Sequence, residues 1–265
     1  MNVESLLQSC LMTIPLMLGL WGLQRRSPNA VLADVGFCIG LILVIIQYTL
    51  MISGNPFRQA LVGTMGGIYA FRLGWHLFRH RVYGKVEDSR YQALRNRWGT
   101  KASLYFFLYF QGQTLAIAIF SIPFLVLIQN PQPNLSLWEF LGIGIWALAI
   151  MGETLADGEL ERFRREPVNR GKTCREGLWY YSRHPNYFFE GIHWCAYVVM
   201  GMGAPNGCLT LIGPILMIWA LLKVTGIPFS EAQAVTNRGD EYREYQRTTN
   251  AFIPWFPKPP SRPSL

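Results

Sequence analysis

Charged residues are scarce in this chain of 265 residues, because Asp, Glu, Lys and Arg together make up only 15% of it. A typical soluble domain carries about 25% charged residues. Hydrophobic residues account for 51% of the chain. This composition excludes an ordinary soluble domain and favours a protein whose surface faces lipid.

Cysteine pairs and the common cofactor motifs are also missing. The five cysteines form no CxxC pair and no metal-ligand spacing, so we expect no metal and interpret them as buried, unreactive thiols. No P-loop, HExxH or GxSxG motif occurs, and the nearest approach to a dinucleotide-binding glycine motif, GIGIWA at 142–147, lies inside an apolar segment with no strand before it. Any nucleotide must therefore bind to helices and their loops.

Long apolar runs, by contrast, occur at seven places. A helix needs ~20 largely apolar residues to cross a bilayer. Suitable stretches lie at 7–23, 33–52, 59–78, 103–128, 137–156, 187–203 and 207–226. They predict an all-α, multi-pass integral membrane protein, with one seven-span domain over residues 1–258 and a Pro-rich, disordered tail at 259–265.

The basic residues lie mostly on one side of these segments. Of the 24 Lys and Arg, two lie between the first and second segments, seven between the third and fourth, seven between the fifth and sixth, and six from Lys223 onward. Arg58 lies alone in a loop on the other side. Under the positive-inside rule, this asymmetry predicts an outside N-terminus and a cytoplasmic C-terminus. Topology thus explains the net charge of +8 without a nucleic-acid partner.

Ionisable side chains share one face in two of the segments. Helical spacing groups Tyr69, Arg72, His76 and Arg79 in the third segment, and Asn186, Glu190, His193 and Tyr197 in the sixth. Such groups usually face the bundle interior, a cavity or a ligand. Arg72 needs a partner or an anionic ligand, whereas Arg79 could reach the interface and Asp34 could cap the second segment. We expect a site in the cytoplasmic half of the bundle.

A second polar group follows the fifth segment. Asp157, Glu161 and Arg164 share a face there, within a basic stretch that runs from Arg162 to Arg183. Arginine forks suit phosphate oxygens, although anionic lipid headgroups would attract the same charges. Mixed with carboxylates and tyrosines, the arginines predict a pocket for a cofactor that carries phosphate and sugar.

Three stretches in this order, ADGELERFRREPVNRG, GLWYYSRHPNYFFEGIHW and EYREYQRTTNAFIPWFP, resemble the bacterial branch of the steroid 5-alpha-reductase family. That branch is a set of multi-span proteins often labelled as a domain of unknown function. The resemblance extends over about residues 30–257. It implies seven spans in a bacterial inner membrane, with NADPH held between the bundle and the cytoplasmic loops. The implied reaction is reduction of the C=C bond of an enone in a steroid-like or other lipidic substrate.

The resemblance also implies roles for single residues. The family's Tyr-x-x-Arg stretch matches Tyr69 and Arg72, and its Gln-Glu pair falls on Ala33 and Asp34. Tyr69 and Asp34 would be catalytic, with Tyr69 donating a hydrogen bond to the substrate carbonyl. The residues that would hold NADPH are Arg72, Asp157, Arg164, Arg183, His184, Asn186, Tyr187, Glu190, Arg243 and Tyr245.

Two other functions remain open on the sequence. RHPNY alone also occurs in membrane methyltransferases that modify isoprenylcysteine or phospholipids, so the alternative is an enzyme that uses S-adenosylmethionine. A non-enzymatic lipid-binding or transport protein is the third reading. The oligomeric state is equally open, because the small residues of GTMGG at 63–67 could pack helices within the chain or between chains.

Overall fold

The computed structural model describes residues 3–259. Within that range every regular element is helical and no strand occurs, which confirms the all-α prediction. Of the predicted Pro-rich tail, residues 260–265 lie outside the described range.

The described residues before position 130 fold into six α-helices. These are α1 (Val3–Arg26), α2 (Leu32–Met51), α3 (Pro56–Leu77), α4 (Ser89–Trp98), α5 (Ala102–Phe120) and α6 (Ile122–Ile128). A π-helical turn over Phe78–Val82 extends α3, and a 3-10 turn over Gly99–Lys101 joins α4 to α5.

The described residues after position 130 add six more helices. These are α7 (Leu137–Arg165), α8 (Leu178–Tyr181), α9 (Pro185–Gly201), α10 (Ile212–Trp219), α11 (Ile227–Arg238) and α12 (Asp240–Thr248). Shorter turns lie between them at Pro167–Asn169, Gly207–Leu211 and Ala220–Val224.

Five helical stretches among the described residues are long and apolar enough to cross a membrane. They are Val3–Arg26, Leu32–Met51, Ser89–Ile128, Leu137–Arg165 and Gly207–Arg238. The protein is therefore a multi-pass membrane protein. The other two predicted segments are also helical, as α3 and α9, but α9 has only 17 residues and α3 carries two arginines. These two helices therefore stay outside the group of five, and α9 is also shorter than the ~20 residues that a crossing helix needs.

The predicted segment 103–128 is not one continuous helix. It breaks at Ser121, where α5 ends, and α6 begins at Ile122 with Pro123 in its first turn. Proline lacks the N–H that would continue the hydrogen-bond ladder, so a new helix starts there. The buried Ser121 hydroxyl donates to the Ala118 carbonyl and lies 2.9 Å from the Tyr48 hydroxyl.

The chain divides into two compact units. The first comprises the residues up to Glu139 together with Met200–Gly213, and the second comprises Phe140–Val199 together with the residues from Pro214 onward. In the first unit, α2 packs against α1, α3 and α5. Gly66 permits the close approach of α3, because a Cβ there would lie 2.6 Å from both Ile45 and Phe124. This glycine of GTMGG therefore packs a helix within the chain.

Arg58 lies inside α3 rather than in an open loop, and it is fully buried. Its Nε donates to Oε1 of Glu139, its Nη1 to the carbonyls of Asn130 and Gln132, and its Nη2 to the carbonyl of Asn134. The Arg58 guanidinium, which carries five N–H donors, thus donates to one carboxylate and three backbone carbonyls. The arginine fixes the segment between α6 and α7.

The cysteines are only partly as expected. Cys38 and Cys174 are buried, but Cys208 is exposed, so the expectation of uniformly buried thiols is wrong for Cys208. It follows the Asn206 turn, which has positive φ, at the start of the Gly207–Leu211 turn, where the side chain faces outward. Burial raises the pKa of the Cys174 thiol.

In the second unit, the end of α7 packs on α8. Phe163, Cys174 and Trp179 form a small buried cluster, with Leu160 against it. Nε1 of Trp179 donates to the Ala156 carbonyl at 2.8 Å. Glu159 accepts from the backbone N of Leu178 at 2.9 Å, which places a carboxylate at the first turn of α8. These contacts set the path of the chain into α9.

Candidate functional site

Asp157 of α7 and Asn186 of α9 are joined by a hydrogen bond. Nδ2 of Asn186 donates to Oδ1 of Asp157 at 3.1 Å, and Oδ1 of Asn186 accepts from the backbone N of Tyr187 at 3.0 Å. Pro185 begins α9, so Asn186 stands in the first turn of that helix. Both side chains are half-buried. The structure thus brings together two residues that the sequence assigned to one pocket.

Arg164 lies on the same side of α7 as Asp157. Seven residues separate them, which is close to two full turns and about 10 Å along the axis. The Arg164 side chain is exposed. A carboxylate and a guanidinium at this separation could reach different parts of one extended ligand.

Tyr187 packs on the histidine of the RHPNY motif. Its ring is stacked on that of His184, with centroids 5.2 Å apart and an interplanar angle of 6°. One side of the half-buried Tyr187 ring is thus covered by a buried histidine.

A buried ionic cluster holds Arg183 and His184. Nε of Arg183 donates to Oε1 of Glu231 at 2.6 Å, and Nη1 donates to the carbonyls of Gln246 and Thr249. Nε2 of His184 lies 3.3 Å from the same Oε1, and Gln246 donates to Oε2 at 2.8 Å. Removing one partner of a buried ion pair destabilises a fold by roughly 3–5 kcal/mol. The contacts of this cluster therefore stabilise the fold around Arg183 and His184. The cofactor role of Arg183 stays a prediction.

His184 is neutral at physiological pH in this cluster. Burial lowers the pKa of the imidazole, and the charge of Arg183 adds to that effect, while Glu231 opposes it. An ionised Glu231 can only accept hydrogen bonds, so a neutral ring that bonds to it must carry its proton on Nε2. The contact is therefore a hydrogen bond rather than an ion pair.

Tyr245 and Arg243 occupy opposite environments on α12. The buried Tyr245 hydroxyl donates to the carbonyls of Trp179 and Ser182, and burial raises its pKa. Arg243 is exposed and pairs with Asp240 at 2.7 Å. An exposed pair of this kind contributes roughly 0–1 kcal/mol. Tyr245 therefore links α12 to the segment around α8 by hydrogen bonds, whereas the Arg243 guanidinium remains accessible to solvent.

The second and third stretches of the family pattern interlock. The backbone N of Arg183 donates to the Asn250 carbonyl at 2.9 Å, and Ser182 Oγ donates to the Phe252 carbonyl at 2.9 Å. The backbone N of Trp255 donates to the Tyr181 carbonyl, also at 2.9 Å. The two stretches are therefore one structural element, although many residues separate them in the sequence.

The inner face of α9 is buried as its spacing indicated. Glu190 is 5% exposed, and its Oε1 accepts from Nε1 of Trp194 at 3.0 Å. His193 and Tyr197 are fully buried, with rings 5.1 Å apart and nearly perpendicular. Glu190 is thus oriented by an indole donor four residues further along the same helix.

In the first unit, Asp34 is held by two tyrosines. The Tyr91 hydroxyl donates to both carboxylate oxygens, at 2.8 and 2.9 Å, and the Tyr109 hydroxyl lies 3.4 Å from Oδ1. Nη2 of Arg90 lies 4.0 Å from Oδ2. Asp34 stands in the first turn of α2 but is not its N-cap residue, which is Val31. Hydroxyl contacts, rather than helix capping, fix this carboxylate.

Tyr69 and Arg72 lie one turn apart on α3. Tyr69 is fully buried and Arg72 is half-buried. Both belong to the first unit, as does Asp34, whereas the other predicted site residues belong to the second. The predicted site residues are therefore divided between the two units.

Sequence reasoning missed three residues that shape these groups. Glu231 meets Arg183 from 48 positions away, and Tyr91 meets Asp34 from 57 positions away. Tyr109 approaches the same carboxylate from α5. Helical periodicity reports only neighbours within a few turns, so nothing in the local spacing could have revealed these pairs.

Comparison with known proteins identifies a matching protein family, whereas no solved structure matches the chain. The family model described as "Protein of unknown function (DUF1295)" matches residues 20–249. An uncharacterized protein of Schizosaccharomyces pombe is 20% identical over 224 residues, which cover 74% of this chain and 63% of that protein. The chain thus spans less than two thirds of this relative's length, and no solved structure matches. Since the family model covers most of the sequence, the chain belongs to the DUF1295 family.

Proposed function

We propose that this protein is a membrane oxidoreductase that uses NADPH to reduce the C=C bond of an enone in a steroid-like or other lipidic substrate. The observation that carries the proposal is the hydrogen bond between Asp157 and Asn186. It joins two residues that the resemblance to the steroid 5-alpha-reductase family assigns to the cofactor, and both remain partly accessible. The apolar helices supply the membrane setting that a lipidic substrate requires.

The side chains of the second unit suit the parts of NADPH. Asp157 and Asn186 present an acceptor and an amide to ribose or carboxamide groups, and the exposed Arg164 is suited to phosphate. Tyr187 offers a half-buried ring for stacking. Glu190 would face the cofactor from α9. In this proposal Arg183, His184 and Tyr245 support the pocket through their internal contacts, and Arg243 and Arg72 would contribute positive charge.

The chemistry assigns distinct tasks to the remaining residues. NADPH, when bound, supplies a hydride to the enone β-carbon. Tyr69 would donate a hydrogen bond to the carbonyl oxygen as negative charge develops there, with Asp34 orienting it or sharing its proton. A single donor of this kind is worth ~3–4 kcal/mol of transition-state stabilisation. The resemblance is the support for these two roles.

The proposed topology follows the basic residues. Seven spans, an outside N-terminus and a cytoplasmic C-terminus would put the Arg162–Arg183 stretch in the cytoplasm, where NADPH is available. α3 and α9 would be the sixth and seventh crossing helices beside the five long apolar ones. The membrane would be a bacterial inner membrane.

Cofactor binding to the detergent-purified full-length protein tests the proposal. NADPH, NADH and S-adenosylmethionine are titrated in parallel while thermal unfolding and nicotinamide fluorescence are recorded. We expect NADPH to stabilise the fold, and Arg164→Ala to weaken its binding about tenfold through loss of a charged hydrogen bond. Asn186→Ala should weaken it as well, because the contact to Asp157 is lost.

Arg170→Ala is the matched control, since Arg170 is exposed in the same basic stretch and has no assigned role. Equal losses in Arg164→Ala and Arg170→Ala would reduce the effect to general surface charge and contradict the assigned site. Stabilisation by S-adenosylmethionine alone would overturn the reductase proposal in favour of a methyltransferase. With a folded protein and no response to any of the three compounds, the lipid-binding reading would replace both.

A further inference from the structure

An apolar groove of about 660 Å³ runs along α7 in the second unit. It follows one broad side of the helix from its apolar middle to its charged C-terminal end. Its lining consists of Leu148, Ile150, Met151, Gly152, Thr154, Leu155, Gly158, Glu159, Arg162 and Phe189.

The length of this groove matches one leaflet of a bilayer. From Leu148 to Arg162 the helix rises by about 21 Å. A bilayer with its headgroup regions is about 40–45 Å thick, so one leaflet with its headgroups spans about 20–22 Å. A single lipid molecule lying along α7 would therefore extend over the whole groove.

Two glycines shape the groove. Phe189 of α9 packs directly over Gly152, where a Cβ would lie 2.3 Å from the ring, so the phenylalanine forms a wall. Gly158 is different, because a Cβ there would meet no atom within 4 Å. The missing side chain at Gly158 leaves a notch next to the charged end.

The apolar part of the groove is open. Leu148, Met151 and Leu155 are 62%, 70% and 54% exposed. Three large apolar side chains on one side of a membrane-spanning helix are suited to contact with hydrocarbon.

The charged end selects for an anion. Glu159 is already engaged as the acceptor for the backbone N of Leu178, whereas the Arg162 side chain is exposed. A headgroup phosphate would meet a guanidinium at the point where the apolar wall ends.

We propose that this groove binds one anionic glycerophospholipid of the bilayer, with an acyl chain along Leu148, Met151 and Leu155 and its phosphate at Arg162. The site does not depend on the proposed reductase activity, since none of these groove residues has a cofactor or catalytic role there. This lipid would stay bound in the groove, whereas the surrounding bilayer lipids exchange freely along the protein surface.

Native mass spectrometry of the detergent-purified full-length protein tests this site. The probes are dioleoylphosphatidylglycerol and, as a neutral counterpart with the same acyl chains, dioleoylglycerol. Gly158→Leu fills the notch, and we expect about 30-fold weaker phosphatidylglycerol binding, because two or three methylenes of the lipid lose their burial. Arg162→Gln should weaken phosphatidylglycerol binding about fivefold and leave dioleoylglycerol binding unchanged.

Two matched controls accompany these variants. Gly144→Leu adds the same side chain to the same helix at a second glycine with open space around it, beyond the groove. Arg170→Gln removes one positive charge from the same basic stretch. Both should bind phosphatidylglycerol like the wild type, and thermal unfolding of all four variants verifies that they are folded.

Phosphatidylglycerol binding by Gly158→Leu within twofold of the wild type would overturn the groove as the site. Equal effects of Gly158→Leu and Gly144→Leu would also overturn it. If Arg162→Gln and Arg170→Gln weaken binding equally, or if the wild type binds both lipids alike, the anionic selectivity of the proposal is wrong.

Discussion

Nε of Arg58 lies 2.5 Å from Oε1 of Glu139, and the two side chains are 0% and 1% exposed. Neither charge is shared with solvent, and the three carbonyls around Arg58 complete its hydrogen bonding. A buried pair with satisfied donors is stable as a unit but sensitive to the loss of either partner.

Glu139→Gln should therefore lower the free energy of unfolding by roughly 3–5 kcal/mol, because the Arg58 guanidinium stays buried without its counter-charge. Thermal and denaturant unfolding of the full-length protein in detergent measure the loss. Glu161→Gln is the matched control, since it breaks an exposed pair with Arg165. That change should cost less than ~1 kcal/mol, and similar costs for the two variants would contradict the structural role of Arg58.

Tyr245→Phe should destabilise the second unit by about 1–3 kcal/mol, because two buried carbonyls lose their donor. The phenylalanine keeps the ring and its packing, so a loss of stability reports the hydroxyl alone. Tyr180→Phe removes a hydroxyl from a half-exposed ring and should stay within about 0.5 kcal/mol. A neutral Tyr245→Phe would show that the interlock of the two family stretches does not depend on this hydroxyl.

Stability should fall as the pH is lowered below about 6.5, the ordinary pKa of histidine. Burial lowers the folded-state pKa of His184, so the unfolded chain takes up this proton first and gains stability relative to the fold. The slope contributed by one group is at most about 1.4 kcal/mol per pH unit. Above pH 6.5 both states are neutral at this position and the contribution vanishes.

His184→Gln tests this assignment, because glutamine can still donate to Glu231 but does not titrate. Denaturant unfolding between pH 5 and pH 8 should show a shallower acid-side loss for the variant than for the wild type. Parallel pH profiles would assign the acid sensitivity to other groups.

Tyr91→Phe should cost more stability than Tyr109→Phe. The Tyr91 hydroxyl contacts both oxygens of Asp34 within 2.9 Å, whereas Tyr109 lies 3.4 Å from one of them. A hydrogen bond to a charged group contributes about 1.5–3 kcal/mol, and a long one contributes less. Thermal unfolding of the two single variants gives the order directly, and a larger loss for Tyr109→Phe would contradict the geometry at Asp34.

Local patterns predicted the helices well. Pro185 begins α9, and Glu190, His193 and Tyr197 form a buried face because spacings of three and four residues determine which side chains align. The break at Ser121 was missed, since the apolar run continues through it without a polar residue strong enough to mark an end. Pro123 was the only local sign of that break.

Long-range pairing could not be predicted from the same patterns. Arg58 looked like a loop residue because its carboxylate lies 81 positions away, and Asp34 looked like a cap or a partner of Tyr69 because its hydroxyl donors come from other helices. Asp157 and Asn186 are neighbours joined by a hydrogen bond, and their place in a cofactor pocket stays a prediction. Glu231, which orders the residues beside that pocket, carries no local sequence signal.

The interlock between the second and third family stretches has a consequence for synthesis of the chain. Tyr245 emerges 66 residues after Trp179, whose carbonyl it binds. At ~5–20 residues per second, the ribosome leaves that carbonyl without this donor for roughly 3–13 s. The turn from α8 into α9 is thus synthesised several seconds before the hydroxyl that binds it. The segment that bears RHPNY is therefore among the last parts of the protein to acquire its final hydrogen bonds. A nascent chain arrested before Tyr245 would contain helices α1 to α11 but would lack the hydroxyl that binds the carbonyls of Trp179 and Ser182.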